Sequence, residues 1–170
     1  MAEIFLRQIN VAQTSAAEHA KELHVAIKNA TTFAEFCAAL RQHKQREYLR
    51  IGARDLMPSV TLEETVRELS ALAEASLDAA YHFCRAEVEK DYGPLNLPGT
   101  EKPNRFVILG LGKLGGSELN FSSDVDVIFL YDRLCKNSDC VQGMVSKFCL
   151  NRAKHDCDFS FWSFRYLIVD

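Results

Sequence analysis

The chain has 170 residues, 48% of them apolar, and a net charge of -3. That is enough for one domain with a sizeable core, or for part of a longer protein. The small acidic excess excludes the basic footprint of a nucleic-acid binder and identifies no partner.

The start, MAEIFLRQIN, lacks the basic head and long apolar run of a signal peptide, and no apolar stretch is long enough to span a bilayer. Cys37, Cys84, Cys135, Cys140, Cys149 and Cys157 form no CxxC pair. Cys149, His155 and Cys157 match no standard zinc spacing, so reduced thiols in a cytoplasmic protein are expected.

Residues 3 to 29 are alanine-rich and free of Gly and Pro, which predicts a helix. Thr32-Phe33-Ala34-Glu35 is a capping box that opens a second helix. Phe33, Phe36, Cys37, Leu40, Tyr48 and Ile51 follow at helical spacing, and the helix is expected to stop near Met57, ahead of Pro58. A second capping box, Thr61-Leu62-Glu63-Glu64, opens a third helix, which Gly93-Pro94 ends. Its stripe from Val66 through Leu69, Leu72, Ala73 and Leu77 to Val88 reads as bundle core.

Residues 93 to 104 carry Gly93, Pro94, Pro98, Gly99 and Pro103 and read as a linker. Then the period changes. Arg105 to Leu109 is short and β-branched, a strand. Asp124 to Tyr131 is a second strand, apolar on both faces past its start and therefore central in a sheet. Met144 to Lys154 is expected to be a helix and Phe159 to Asp170 a third strand. A chain that ends on an apolar strand is expected to be a piece of something longer. The fold class is α+β, with a helical lead-in over 1-92, a linker over 93-104 and a sheet core with a small mixed sheet over 105-170.

The chemistry concentrates in GLGKLGGSELNFSSDVDVIFLYD, residues 110 to 132. Gly110, Gly112 and Gly115 match a dinucleotide-binding GxGxxG after a strand. That motif needs a long helix next and an acid at the end of the following strand. Here only residues 116 to 123 separate Gly115 from Asp124, and the acids open the strand. A P-loop needs Ser or Thr after Gly-Lys, but Leu114 follows Lys113. The third reading is a nucleotidyltransferase site. Asp124 and Asp126 alternate onto one side of a strand, roughly 6.6 Å apart. They repel by roughly 2–3 kcal/mol at an effective dielectric near 20, which a bridging Mg²⁺ converts into binding. Such an ion takes its remaining ligands from phosphate, and an in-line displacement at phosphorus follows. Gly115 and Gly116 are expected to let backbone amides approach phosphate. Ser117, Ser122 and Ser123 offer hydroxyls that cap the turn or touch phosphate, and Lys113 offers a cation.

GKLGGSELNFSSDVDVIFLYD closely resembles the signature of the bacterial glutamine synthetase adenylyltransferases. KQREYLRIGARDL (44 to 56) and LEETVRELSALAEASLDAA (62 to 80) extend the resemblance upstream, over roughly residues 32 to 132. The resemblance implies a bifunctional enzyme with two catalytic domains of the DNA polymerase β type. One copy adds AMP from ATP to a tyrosine of glutamine synthetase, and the other removes it by phosphorolysis to give ADP. Asn120-Phe121-Ser122-Ser123 and the helices before it look like the N-terminal, deadenylylating copy. By that pattern Asp124 and Asp126 hold Mg²⁺ and Gly115 and Gly116 line the phosphate site. Glutamine synthetase is the implied partner, with a PII-type regulatory protein acting through the full-length enzyme. The family also places a third catalytic aspartate in a Phe-Arg-Val-Asp segment before Arg-Leu-Arg-Pro. Here Phe164-Arg165 leads through Tyr-Leu-Ile-Val to Asp170, the candidate third acid, with Asp158 a weaker one. The rivals are the adenylylating half, an inactive piece, and a dinucleotide-binding oxidoreductase.

Overall fold

A computed structural model describes residues 12–97 and 99–131, together with the backbone of a strand at 164–169. The first helix among the described residues, α1, spans Ala16–Ile27. It does not run unbroken from residue 3, because residues 12–15 are non-helical. Ser15 is its N-cap. The Ser15 hydroxyl accepts the Glu18 amide at 3.3 Å, and the Glu18 carboxylate accepts the Ser15 amide at 2.8 Å. This capping box lies hidden inside the alanine-rich run, and its local hydrogen bonds start a new helix there.

Helix α2 spans Phe33–Asp55 and helix α3 spans Leu62–Tyr92, each opened by the expected Thr–Glu capping box. A box of this kind contributes about 1 kcal/mol. Helix α2 ends with Leu56 as its C-cap, slightly short of Met57. Gly93 ends α3 at φ 78°, a conformation a side chain resists. All three helices pack together around Leu23, Phe36, Ile51, Leu69 and Leu72, each with no exposed surface. Ser76, within the apolar stripe, is buried because its hydroxyl bonds back to the Leu72 carbonyl at 2.7 Å.

The glycine- and proline-rich stretch after α3 folds into a tight turn. Asn96 bridges Pro103, and the Leu97 amide donates to the Lys102 carbonyl at 2.8 Å. Leu95 is buried against Val88. The connection is therefore held in place on the end of α3.

Strand β1 (Phe106–Leu111) runs antiparallel to β2 (Val125–Tyr131), which runs parallel to β3 (Phe164–Val169). The small mixed sheet has the order β1-β2-β3, with β2 in the centre as its apolar run predicts. Val125, Val127 and Phe129 are buried in the same core as the helices. Each contributes about 1.5–3 kcal/mol by leaving water. Phe106 stacks on Tyr81 of α3 at 5.7 Å between ring centroids, which seats the sheet on the bundle. The opposite face is more open. Val107, Leu109 and Leu111 are exposed there, and Ile128 and Leu130 are half-buried among the described residues. The expected helix at 144–154, four of the cysteines and Asp158 lie outside the described residues.

Candidate nucleotidyltransferase site

The antiparallel register places Leu111 opposite Asp126. The chain therefore leaves β1 beside the acid and turns at once through a single helical turn, α4, Gly112–Gly115. Gly112 takes φ 54°, the left-handed region that suits glycine. A Cβ there would lie 3.5 Å from Asp126 Oδ2. The bare backbone of Gly112 is thus what the Asp126 carboxylate faces.

The other glycines have different work. A Cβ on Gly115 would come within 2.6 Å of the Gly110 carbonyl oxygen, so Gly115 is demanded by packing against β1. The Gly116 amide donates to the Gly112 carbonyl at 3.0 Å, and the Ser117 and Glu118 amides bond to Leu114 and Lys113 carbonyls. The Gly116 amide closes the turn. Leu114 is buried and anchors α4, while Lys113 and Ser117 are exposed. Ser117 itself takes φ 56° and turns the chain towards Leu119.

The loop from α4 to β2 is pinned at three points. Leu119 is fully buried, and its amide donates to the Ser70 hydroxyl of α3 at 3.1 Å. Asn120 Oδ1 accepts the Ser123 hydroxyl at 2.6 Å and the Ser122 amide at 3.1 Å, while the Asn120 amide donates to Ser123 Oγ. Ser122 and Ser123 thereby serve as caps of the turn. Phe121 packs edge-on against Tyr48 at 5.5 Å, and its ring tip lies over Gly52 of α2, where a Cβ would come within 3.8 Å of it. Lys44 lies under the same Tyr48 ring, its Nζ 4.6 Å from the centroid. Burial pushes the Lys44 amine down to about 7.

Asp124 is exposed just before β2, and Asp126 is half-buried within it. Because Val125, Val127 and Phe129 face the core, the two acids share the opposite, open side. Both donors are hard oxygens with access to water, and the backbone of Gly112 leaves room beside one of them. That donor set fits a magnesium-class ion. The candidate third acid fares differently. The parallel register sets Phe164 beside Val125 and Val169 beside Leu130. Val169 is therefore about 13 Å along the strand from the level of Asp126. Asp170 and its side chain lie outside the described residues.

Residues of the second motif, 44 to 56, hold the bundle under this loop. Glu68, with no exposed surface, accepts from Arg50, from Arg54 and from the Thr14 amide. Arg50 Nε also donates to Glu47 at 2.8 Å. Thr65 donates to Asp55 at 2.7 Å. Charged residues on the core-facing side of α2 are the sequence signal for this network. Its partner, Glu68, comes from another helix and is not marked by local spacing.

A model of the glutamate-ammonia ligase adenylyltransferase family matches residues 2–149. The chain belongs to that family. Curated family members named bifunctional glutamine synthetase adenylyltransferase/adenylyl-removing enzyme share the sequence. The protein of Nitrosococcus oceani is 42% identical over 117 residues, covering 66% of this chain and 12% of that protein. Its counterpart in Vibrio parahaemolyticus is 45% identical over 93 residues, covering 54% of this chain and 10% of that protein. In Pseudomonas aeruginosa the figures are 45% over 92 residues, 54% and 9%. The matched region thus spans only about a tenth of the length of these family members.

Proposed function

We propose that the chain carries the metal-binding end of the deadenylylating site of a glutamine synthetase-modifying enzyme. The single observation behind this reading is the open-side pair Asp124 and Asp126, with the Gly112 backbone against the Asp126 carboxylate. The deadenylylating half is favoured because Asn120-Phe121-Ser122-Ser123 and the helices before it resemble the N-terminal copy of the family; in this chain that stretch packs on those helices through Phe121 on Tyr48 and Leu119 on Ser70.

In this reading Asp124 and Asp126 hold Mg²⁺, which supplies positive charge for the oxygens of the reacting phosphoryl groups. Lys113, exposed on α4, adds a second cation at the phosphate, and exposed Ser117 offers a hydroxyl donor. The Ser122–Ser123–Asn120 cap holds the start of β2 so that the two carboxylates stay aligned. An oxygen of inorganic phosphate attacks the phosphorus of the AMP-tyrosine ester. The bond from phosphorus to the phenol oxygen breaks, the phenol oxygen takes a proton, and ADP leaves. Adenylylated glutamine synthetase is the substrate, and the cytoplasm is the compartment.

The test is to incubate the chain with adenylylated glutamine synthetase, Mg²⁺ and phosphate. ADP release supports the reading. AMP transfer from ATP onto unmodified glutamine synthetase, without phosphorolysis, assigns the chain to the adenylylating half. Tight NAD(H) binding without Mg²⁺ would return the case to a dinucleotide fold.

A further inference from the structure

A second cluster of chemistry lies in the helical bundle, far along the chain from the acid pair. Helix α1 carries His19 and Glu22, and α2 carries His43 and Glu47, spaced i,i+3 and i,i+4 so that each pair shares one face. Glu22, His43 and Glu47 each offer a ligand atom, and these atoms lie within 4.8 Å of one another. His19 is fully buried, and neither of its ring nitrogens has a hydrogen-bond partner. Its Nδ1 stands 3.8 Å from the Glu47 carboxylate, and its ring lies edge-on to His43 with centroids 6.2 Å apart. His43, 3% exposed, likewise has an unpartnered Nε2. Buried nitrogens left in this state are costly; His19 Nδ1, beside Glu47, is a ready ligand, while His43 turns its Nδ1 to Arg46.

A cation already occupies the centre. Arg46 Nη2 is 3.1 Å from both Glu22 Oε2 and His43 Nδ1, and its Nε is 3.2 Å from Glu47 Oε1. The Arg46 side chain is 62% exposed, so it can swing into water without disturbing the core. If it does, Glu22 loses its guanidinium partner while Glu47 keeps Arg50, and the cluster calls for another positive charge. We propose that Glu22, His43 and Glu47, with His19 behind them, form a binding site for a divalent transition ion of the zinc class. Arg46 acts as its exchangeable guanidinium stand-in. Two imidazoles with two carboxylates suit zinc, whereas magnesium prefers an all-oxygen set. Tetrahedral zinc needs ligand atoms about 3.4 Å apart, so the cluster must close modestly, and the half-exposed Glu22 supplies that freedom. The ion would clamp α1 to α2.

The probe is Zn²⁺ in competition with a chromogenic chelator, using the full chain with Cys135, Cys140, Cys149 and Cys157 replaced by Ser to remove competing thiols. One equivalent is expected to bind and to raise the melting temperature. Glu22→Gln, at a surface position that leaves the fold intact, is expected to weaken binding about tenfold or more, and His43→Gln at least as much. Arg46→Ala, which removes the competing cation, is expected to tighten binding by a few-fold, to about tenfold. Absence of binding in both the parent and Arg46→Ala overturns the proposal. So does binding that Glu22→Gln and Arg46→Ala leave unchanged, which would make Arg46 a purely structural cation.

Discussion

Gly112 and Asp126 face each other across the β1–β2 pair, so closely that a Cβ on Gly112 would lie 3.5 Å from Asp126 Oδ2. The relationship makes Gly112 the glycine most directly tied to the proposed chemistry. Gly112→Ala must hold alanine at φ 54°, at a cost of about 1–2 kcal/mol, and it places a methyl group against the carboxylate. The expected outcome is a folded chain by circular dichroism whose phosphorolysis rate falls about 100-fold, as displaced catalytic groups do.

Gly115 and Gly116 should behave differently despite being neighbours. Gly115→Ala drives its Cβ to 2.6 Å from the Gly110 oxygen, so the backbone must move. A loss of about 1–3 kcal/mol is expected in urea unfolding, as for other overpacked sites. Gly116→Ala has φ -87° and only ordinary contacts at 3.5 Å, so a change within about 0.5 kcal/mol is expected. Equal damage from both would contradict the turn described.

Glu68 should be among the most sensitive positions in the bundle. Glu68→Gln removes the carboxylate between Arg50 and Arg54 and leaves two buried guanidinium groups poorly matched. The expected loss is about 3–5 kcal/mol, read from the midpoint of denaturant unfolding. The same substitution at exposed Glu63 should leave the midpoint unchanged.

Acid should loosen the α1–α2 contact. Burial pushes His43 down to about 4 from 6.5, with the Arg46 and Arg50 charges acting the same way, the second His19 beside it, and Glu47 opposing. Glu22 lies on the facing helix. The unfolded chain takes up the proton below pH 6.5 and the folded one resists it until about pH 4. Stability from this residue is therefore complete above 6.5, falls as pH drops to about 4, and levels off below. The upper bound is about 3 kcal/mol. Thermal melts in a chelator across pH 7 to 4 should show a shallower fall for His43→Gln than for the parent.

What the sequence made legible was local. The Thr32–Glu35 and Thr61–Glu64 boxes, Gly93, and the central strand from Val125 all follow from spacing within a few residues. The alternation that puts Asp124 and Asp126 on one side is equally local. Ser15–Glu18 obeys the same capping rule but sits in a run whose helix propensity hides it. Gly112 against Asp126 depends on strand register, a pairing between separated segments that no local pattern states. The same holds for Leu119 on Ser70, Phe121 on Tyr48, and Glu68 between two arginines. Assigning phosphate to Gly115 and Gly116 followed the glycine-turn motif and the family resemblance. The bond from the Gly116 amide to the Gly112 carbonyl, which closes the turn, is not stated by the glycine spacing.

Calorimetric titration of ADP into the chain, with and without Mg²⁺, in the parent and in Asp126→Asn, addresses the acid pair most directly. The account predicts binding that requires Mg²⁺ and weakens about 100-fold in Asp126→Asn. Binding that is indifferent to Mg²⁺, or unchanged when Asp126 becomes Asn, would contradict it.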